Sequence, residues 1–420
     1  MGVPHQPMNV VFEEWKSLML QPSVVRRQAI GAVLAAIALG AACLGLAGGG
    51  DRAVAAAAAV PGPKRISGSA YPQNASNPLV GGTWAVNNGF WDNQGSPGPL
   101  YAWQHATGTT KTYLGRIATQ PTAMWFTAKN SDPAKRPTAI GDYIHRLQRG
   151  DPNSLVQFAL FGIFSVQGGE SHRTRALTAA QTAAYRRWIV GVSRQVAASR
   201  VAIIMEPDQA LLFNRPGKPK RLWTGGSAAR MALVAWATKY LHDHNPRAAV
   251  YLDAGDADWL SPDQAAYLLE HTGVRYARGF ALGATHYSAT ADDVAHGAAI
   301  IQALAEEQIT GTRFVIDTAD NGRPFTMDQF YARHPKAKGG FFDDSWPCTT
   351  TTSTVCNALG IRPTWRVADA ATGLSSALRS VARADVDGYL WFGRPWLRNQ
   401  ASPFILGKAV AAAKYSPFPY

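Results

Sequence analysis

Short apolar runs alternate with longer amphipathic segments along most of this chain. Seven runs rich in β-branched and aromatic residues predict buried β-strands: Ala123–Thr127, Leu155–Phe161, Val201–Met205, Ala249–Leu252, Gly279–Leu282, Arg313–Ile316 and Asp387–Trp391. Apolar residues at helical spacing predict helices between them, over Thr178–Ser199, Met231–His242 and Asp292–Glu307, with another opening at Ser261. Thr178 and Gln181 have the spacing of a capping box.

Repeated units of a strand followed by a helix predict an α/β fold with a parallel sheet. Such a sheet either closes as a barrel or stays open and doubly wound. No glycine-rich phosphate loop follows the first strand, and acids end several strands instead of one, so the sequence favours the barrel. We expect a single catalytic-type domain over residues 67–420, with a loop-rich start rich in Gly, Asn, Pro and Trp.

Residues 1–60 differ in composition from the rest of the chain. Arg26 and Arg27 precede the apolar run Ala29–Ala47, and small residues follow it, which is the order of an export signal. An uncleaved membrane anchor is the alternative, because the run is close to the length that spans a bilayer. We therefore expect a secreted or cell-envelope protein that is held at the membrane only if this segment is uncleaved.

The cysteines and the net charge narrow the class of protein and its expected partners. Cys348 and Cys356 form an even pair in a chain expected to be exported, which predicts a disulfide. The net charge of +13 is spread along the chain without a dense basic run, which favours solubility or attraction to an acidic envelope over nucleic-acid binding. We expect a monomer with no metal and no cofactor.

Acids follow three of the predicted strands. The run from Val201 ends in Glu206, Pro207 and Asp208, and two later runs end in Asp253 and Asp317. Parallel strands of a barrel deliver their carboxyl ends to one face, where barrel enzymes keep their chemistry. The pattern predicts an active-site mouth lined by carboxyl groups.

Seven motifs in order along the chain resemble those of glycoside hydrolase family 6. They are NPLVGGTW (77–84), IATQPTAMWF (117–126), VAIIMEPD (201–208), VYLDAGDADWL (250–260), GFALGATHY (279–287), FVIDTADNG (314–322) and YLWFGRP (389–395). That family contains cellulose-cleaving endoglucanases and cellobiohydrolases built on a distorted barrel of about seven strands. The resemblance implies a hydrolase that cleaves a β-1,4-glucan or a related polysaccharide with inversion and without a cofactor.

The resemblance also assigns roles to single residues. Asp208 matches the general acid, and a strand-end carboxyl kept protonated by burial suits that chemistry. Asp253 matches an aspartate beside the acid, although a turn aspartate bonded to nearby backbone amides is the alternative. Trp259 matches a tryptophan on which a glucose ring stacks. The other candidate substrate contacts are Trp84, Trp346, His286 and Asn399.

Several positions depart from the family pattern. Ala159 stands where the family has an acid-tuning aspartate, and Asn399 stands where it has the aspartate proposed as catalytic base. An amide cannot take a proton from water near neutral pH. Further replacements are Gly393 for a lysine, Asp256 for a histidine, His286 for an asparagine and Asp320 for an arginine.

Two interpretations of these departures compete. In the first, the site has been rebuilt for another glycan and a different acid serves as base: Asp320 or Asp256, with Asp344 and Asp253 as further candidates. In the second, hydrolysis is lost and the domain binds a glucan through the same cleft. A barrel used purely as an interaction scaffold is a third class, because function depends on the site rather than on the fold.

Overall fold

The computed structural model describes residues 77–87, 98–128, 140–173, 175–212, 227–337 and 342–420. All of them fall within one compact unit. The predicted export signal or anchor, residues 1–60, lies outside the described residues. No helix among those described has the length and apolar character needed to span a bilayer.

Seven parallel strands form one curled sheet in sequence order, and the prediction of a distorted α/β barrel is confirmed. Each strand lies within one residue of its predicted bounds. The strands are β1 (Met124–Thr127), β2 (Val156–Phe161), β3 (Val201–Met205), β4 (Ala248–Asp253), β5 (Gly279–Leu282), β6 (Arg313–Asp317) and β7 (Val386–Leu390).

The described residues also form ten α-helices around the sheet. These are α1 (Pro99–His105), α2 (Gly108–Ala118), α3 (Ile140–Gln148), α4 (Ala179–Val196), α5 (Ser227–His244), α6 (Pro262–His271), α7 (Thr290–Glu306), α8 (Met327–Arg333), α9 (Ser376–Asp385) and α10 (Leu406–Lys414). The predicted capping box of Thr178 and Gln181 opens α4, and similar boxes open α6 and α8. The local sequence therefore sets where these helices begin.

Alternate residues of each strand point into the barrel or outward to the helices, as the two-residue period of a strand requires. In β3 every residue is buried, and Ala202 and Ile204 belong to the interior cluster. Small and large side chains share that interior, for example Ala249 with Tyr251. The inside of the barrel is thus a packed core, and chemistry is confined to its ends.

The amino-terminal end of the barrel is closed by polar contacts. Arg200 is 1% exposed and its guanidinium donates to four backbone oxygens, three of which belong to the segment Pro78–Gly81. Trp84 bridges to Leu155, just before the start of β2, at this same end. The NPLVGGTW motif therefore anchors the chain at the end of the barrel opposite to the strand-end acids.

The first and last strands meet without pairing along their length. The backbone N–H of Ala123 donates to the oxygen of Trp391 at 2.8 Å, and the indole N–H of Trp125 donates to the oxygen of Phe392 at 2.6 Å. Thr364 covers part of the edge of β7 through an antiparallel bridge to Tyr389. The seam between β1 and β7 is therefore irregular.

Candidate active site

The two acids that follow β3 point to different surroundings. Glu206 and Asp208 flank Pro207, and both adopt positive φ angles of 55° and 66°. Such angles are uncommon outside glycine and cluster at functional sites. The turn therefore separates two neighbouring carboxyl groups.

Glu206 is a structural residue. It is fully buried, and its carboxyl accepts hydrogen bonds from the backbone N–H groups of Gly162 and Ile163 and from the hydroxyl of Tyr185, at 2.7 to 2.9 Å. Burial raises its pKa to about 7, against the lowering effect of these three donors. Glu206 thus ties the loop after β2 to the end of β3.

Asp208 remains partly exposed at the carboxyl end of the barrel. The hydroxyl of Thr285, which follows β5, donates to its Oδ1 at 2.9 Å. Burial raises the pKa of Asp208, while this hydrogen bond and the charges of His286 and Arg394 oppose the rise. A carboxyl group that keeps its proton at higher pH is suited to protonate a leaving group.

Two further acids, Glu170 and Asp343, lie within the electrostatic field of Asp208. Burial and then the charge of Asp208 raise the pKa of Glu170 to about 8 and that of Asp343 to about 7. Both side chains are partly exposed. Neither residue was predicted from the sequence. Their only signals are a Gly168-Gly169 pair in the loop after β2 and an aspartate pair before the disulfide loop.

Asp253 ends β4 beside Asp208 and is fully buried. Burial, then the charge of Asp208, raises its pKa well above the ordinary value. Its Oδ2 accepts the N–H of Gly255 at 3.3 Å, while Oδ1 has no partner among the described residues. The structure brings the two predicted acids together, and their roles stay predictions.

His286, next to Thr285, forms a buried ion pair with Asp258. Its Nδ1 lies 2.5 Å from Oδ1 of Asp258, and its ring stacks on Trp259 at 4.5 Å and 12°. Burial disfavours the imidazolium, but the Asp258 carboxylate outweighs this and raises the pKa of His286 to about 9. Trp259 is only 7% exposed, so one face of the predicted sugar platform is covered by a cationic ring.

Asp256, Asp258 and His286 are also the described residues that could hold a metal ion, since their ligand atoms lie within 4.8 Å of one another. The ion pair of His286 with Asp258 already engages two of the three. Burial, then the charge of Asp258, raises the pKa of Asp256 to about 6. Asp256 is 1% exposed, so this predicted replacement base lies beneath the surface of the mouth.

Asp320, the other predicted replacement base, is buried beside Asp317. Burial and the charge of Asp317 raise its pKa well above the ordinary value, and Gln400 donates to its Oδ2 at 3.2 Å. A Cβ at Gly393 would overlap Oδ2 of Asp317. The lysine that the family pattern has at position 393 is therefore excluded by the space that these carboxyl groups occupy.

Asn399 lies in an exposed turn with a φ of 48°. Its backbone N–H donates to Oδ1 of Asp344 at 2.8 Å, and the ammonium of Lys408 donates to the same oxygen at 2.6 Å. Trp346 is 63% exposed, with the Lys408 ammonium 5.6 Å from its ring centre. Cys348 and Cys356 form the predicted disulfide just beyond it, so that prediction is confirmed.

The candidate aromatic contacts are thus split between the two ends of the barrel. Trp346 is the exposed tryptophan on the loop that carries Asp343. Trp125 lies at the seam with the guanidinium of Arg394 4.1 Å from its ring centre. Trp84 lies at the amino-terminal end, and the structure does not bring it to Asp208.

Comparisons with known proteins place this arrangement in a family. The model of glycosyl hydrolases family 6 matches residues 99–372. Endoglucanase A of Cellulomonas fimi is 33% identical over 222 residues, which cover 53% of this chain and 44% of that relative. Endoglucanase 1 of Streptomyces halstedii is 28% identical over 257 residues, or 60% of this chain and 74% of the relative. The match thus spans less than half of the C. fimi protein.

A solved structure agrees with this assignment. The endoglucanase Cel6 of Mycobacterium tuberculosis, in complex with methyl-cellobiosyl-4-deoxy-4-thio-β-D-cellobioside, superposes with a TM-score of 0.56 at 25% identity. The match covers 81% of this chain and 99% of that one. The resemblance predicted from the motifs is confirmed. This chain therefore belongs to glycosyl hydrolases family 6.

Proposed function

We propose that this protein hydrolyses a β-1,4-glucan or a related polysaccharide, with Asp208 as the general acid. The observation that carries the proposal is the position of Asp208: it follows β3 at the carboxyl end of the barrel, partly exposed, and Thr285 orients its carboxyl group. Glycoside hydrolysis requires such a carboxyl group to protonate the departing oxygen.

The surrounding acids support this role. Asp208 shares the mouth with Glu170, Asp253 and Asp343, and its charge contributes to a raised pKa for each of them. Carboxyl groups so placed cannot all ionise together, because each negative charge disfavours the next. Protons therefore persist in the cluster near neutral pH, and a proton held there can be delivered to a leaving group.

The substrate class is inferred from relatives and from the aromatic residues of the mouth. The two relatives compared above are endoglucanases, and the mycobacterial structure holds a thio-linked cellobioside. Trp346, on an exposed loop beside Asp343, offers a flat apolar face of the kind that sugar rings contact. Export of the protein to meet a polysaccharide stays a prediction from residues 1–60.

The test is release of new reducing ends from soluble cellulose derivatives, mixed-linkage β-glucan and cello-oligosaccharides. Wild-type protein is expected to release them, and Asp208→Asn is expected to lose at least a hundredfold in rate, since general acid catalysis contributes roughly 10²–10⁴-fold. Asp292→Asn, which neutralises an exposed acid in the first turn of α7, is the matched control and should keep the wild-type rate. An Asp208→Asn variant as active as the control contradicts the proposal.

The amide of Asn399, at the position where the family has a catalytic aspartate, favours a second candidate function: a domain that binds a glucan without hydrolysing it. In that case wild type and Asp208→Asn are equally inert toward glycans that both of them bind. Asn399→Asp separates the two functions further, because a large gain of hydrolysis would mean that the missing carboxylate alone had disabled the site.

A further inference from the structure

We propose that Asp343 is the general base of this site and takes a proton from the attacking water while Asp208 protonates the leaving oxygen. The inference rests on the proposed function of Asp208. An inverting hydrolase needs a second carboxylate on the far side of the sugar ring, at roughly 6.5–9.5 Å from the first. Asn399 cannot supply it, since an amide has no basic site near neutral pH.

The other acids near the mouth are engaged or buried. Asp320 and Asp256 are each at most 1% exposed. The carboxylate of Asp344 receives both the buried ammonium of Lys408 and the N–H of Asn399. A carboxylate paired with a cation is a poor base, because the pairing favours its ionised form. Asp320 and Asp256 are therefore shielded from solvent, and Asp344, whose side chain is 25% exposed, is held in an ion pair.

Asp343 is held at the mouth through its backbone. The buried hydroxyl of Tyr287 lies 3.1 Å from the oxygen of Phe342 and 3.2 Å from that of Asp343. The ring of Phe342 meets His286 edge-on at 5.0 Å. The short segment Thr285–Tyr287 follows β5. Its Thr285 hydrogen-bonds the carboxyl group of Asp208, and its Tyr287 hydrogen-bonds the backbone of the loop that carries Asp343.

The side chain of Asp343 is partly exposed and receives no hydrogen bond from the described residues. Its neighbour Asp344 carries the structural contacts of the loop. This division matches that of Glu206 and Asp208, in which one acid holds the backbone and the next faces the mouth. The partial exposure of Asp343 distinguishes it from the fully buried Asp320 and Asp256.

The charges facing Asp343 decide whether it can act as a base. Burial, then the charges of Asp208 and Asp344, disfavours its carboxylate, and the imidazolium of His286 favours it. The net effect is a pKa of about 7. Asp343 can therefore exist as a carboxylate near neutral pH, and a carboxylate can accept a proton from water.

The step balances as an inverting displacement. The bond from the anomeric carbon to the bridging oxygen breaks, its electron pair leaves with that oxygen, and the oxygen receives the proton of Asp208. A water molecule forms the new bond to the anomeric carbon and gives one proton to Asp343. Proton exchange with solvent then returns both carboxyl groups to their starting forms.

The experiment compares Asp343→Asn and Asp343→Ala with Asp344→Asn and Glu170→Gln, each checked for folding by thermal denaturation. For both Asp343 variants, kcat on a cello-oligosaccharide is expected to fall about 10²–10⁴-fold with little change in KM. Azide should rescue Asp343→Ala and yield the α-glycosyl azide, because the small anion attacks without needing a base. Asp344→Asn should lower the melting temperature, because it removes the partner of the buried Lys408 ammonium. The activity control is Asp292→Asn, which changes an exposed acid of α7 and should keep kcat within a few fold.

The outcomes separate this inference from the proposed function. If Asp208→Asn is inactive while Asp343→Asn keeps its kcat, the base lies elsewhere and only this inference fails. If Glu170→Gln loses kcat and is rescued by azide in place of Asp343→Ala, Glu170 is the base and the inference is overturned. If wild type releases no reducing ends, the proposed function and this inference fail together.

Discussion

The acids on either side of Pro207 should respond to substitution in opposite ways. Glu206→Ala removes a carboxyl group that accepts three hydrogen bonds from buried donors, whereas Asp208→Asn changes a group that Thr285 alone among the described residues hydrogen-bonds. We therefore expect the first substitution to destabilise the fold and the second to remove activity.

The size of the first effect follows from the contacts. Without Glu206, the N–H groups of Gly162 and Ile163 and the hydroxyl of Tyr185 lose their partner in the interior. Each unsatisfied buried donor costs roughly 1–3 kcal/mol, and since such losses are not additive we expect about 3–5 kcal/mol in total. At about 2 °C per kcal/mol for a domain of this size, the melting temperature should fall by about 6–10 °C. Asp208→Asn relieves repulsion among carboxylates, so its melting temperature should stay level or rise.

The assay is thermal denaturation followed by circular dichroism, paired with urea unfolding. Tyr185→Phe is the graded control, because it keeps both backbone bonds of Glu206 and should lose only about 1 kcal/mol. If Asp208→Asn destabilises the protein more than Glu206→Ala does, the assignment of a structural role to Glu206 and a catalytic role to Asp208 is refuted.

Three further perturbations test separate parts of the structure. The pKa of His286 rises from 6.5 to about 9 on folding. Its ion pair with Asp258 therefore stabilises the folded state by its full amount below pH 6.5, and about 3 kcal/mol of that stabilisation is lost as the pH rises through 9. The deficit of His286→Asn in urea unfolding should therefore be about 3 kcal/mol larger at pH 6 than at pH 10, and equal deficits would contradict the pairing. Trp346→Ala should leave the melting temperature unchanged, because the side chain is 63% exposed, but weaken cello-oligosaccharide binding about tenfold in calorimetry; unchanged affinity would exclude it as a sugar platform. Gly393→Ala should destabilise by about 1–3 kcal/mol, because its Cβ would overlap the Asp317 carboxyl, and a neutral effect would mean that this carboxyl moves freely.

Much of the scaffold could be predicted from the sequence because its signals are local. A strand of a parallel sheet is buried on both faces, so its sequence is a continuous apolar run, as in Val201–Met205. The capping boxes at Thr178 and Ser261 satisfy free N–H groups within a single helical turn, so neighbouring residues suffice to place them.

The site was less predictable, because its members meet across long sequence distances. Glu170 and Asp343 lie in loops without periodicity, and only the folded chain brings both into the field of Asp208. The pattern around Trp259 predicts a sugar platform, but it could not show that His286 covers one face of it. Trp84 belongs to a matching motif and still lies at the other end of the barrel, because that motif anchors the chain there.

The most direct test of proton donation by Asp208 is whether the rate lost in Asp208→Asn depends on the leaving group of the substrate. Rates of wild type and Asp208→Asn should be compared on cellotetraose, whose sugar leaving group needs a proton, and on a 2,4-dinitrophenyl β-cellobioside, whose phenolate does not. We expect the variant to lose about 10²–10⁴-fold on the first substrate and less than tenfold on the second. Equal losses on both substrates would show that Asp208 does not donate the proton.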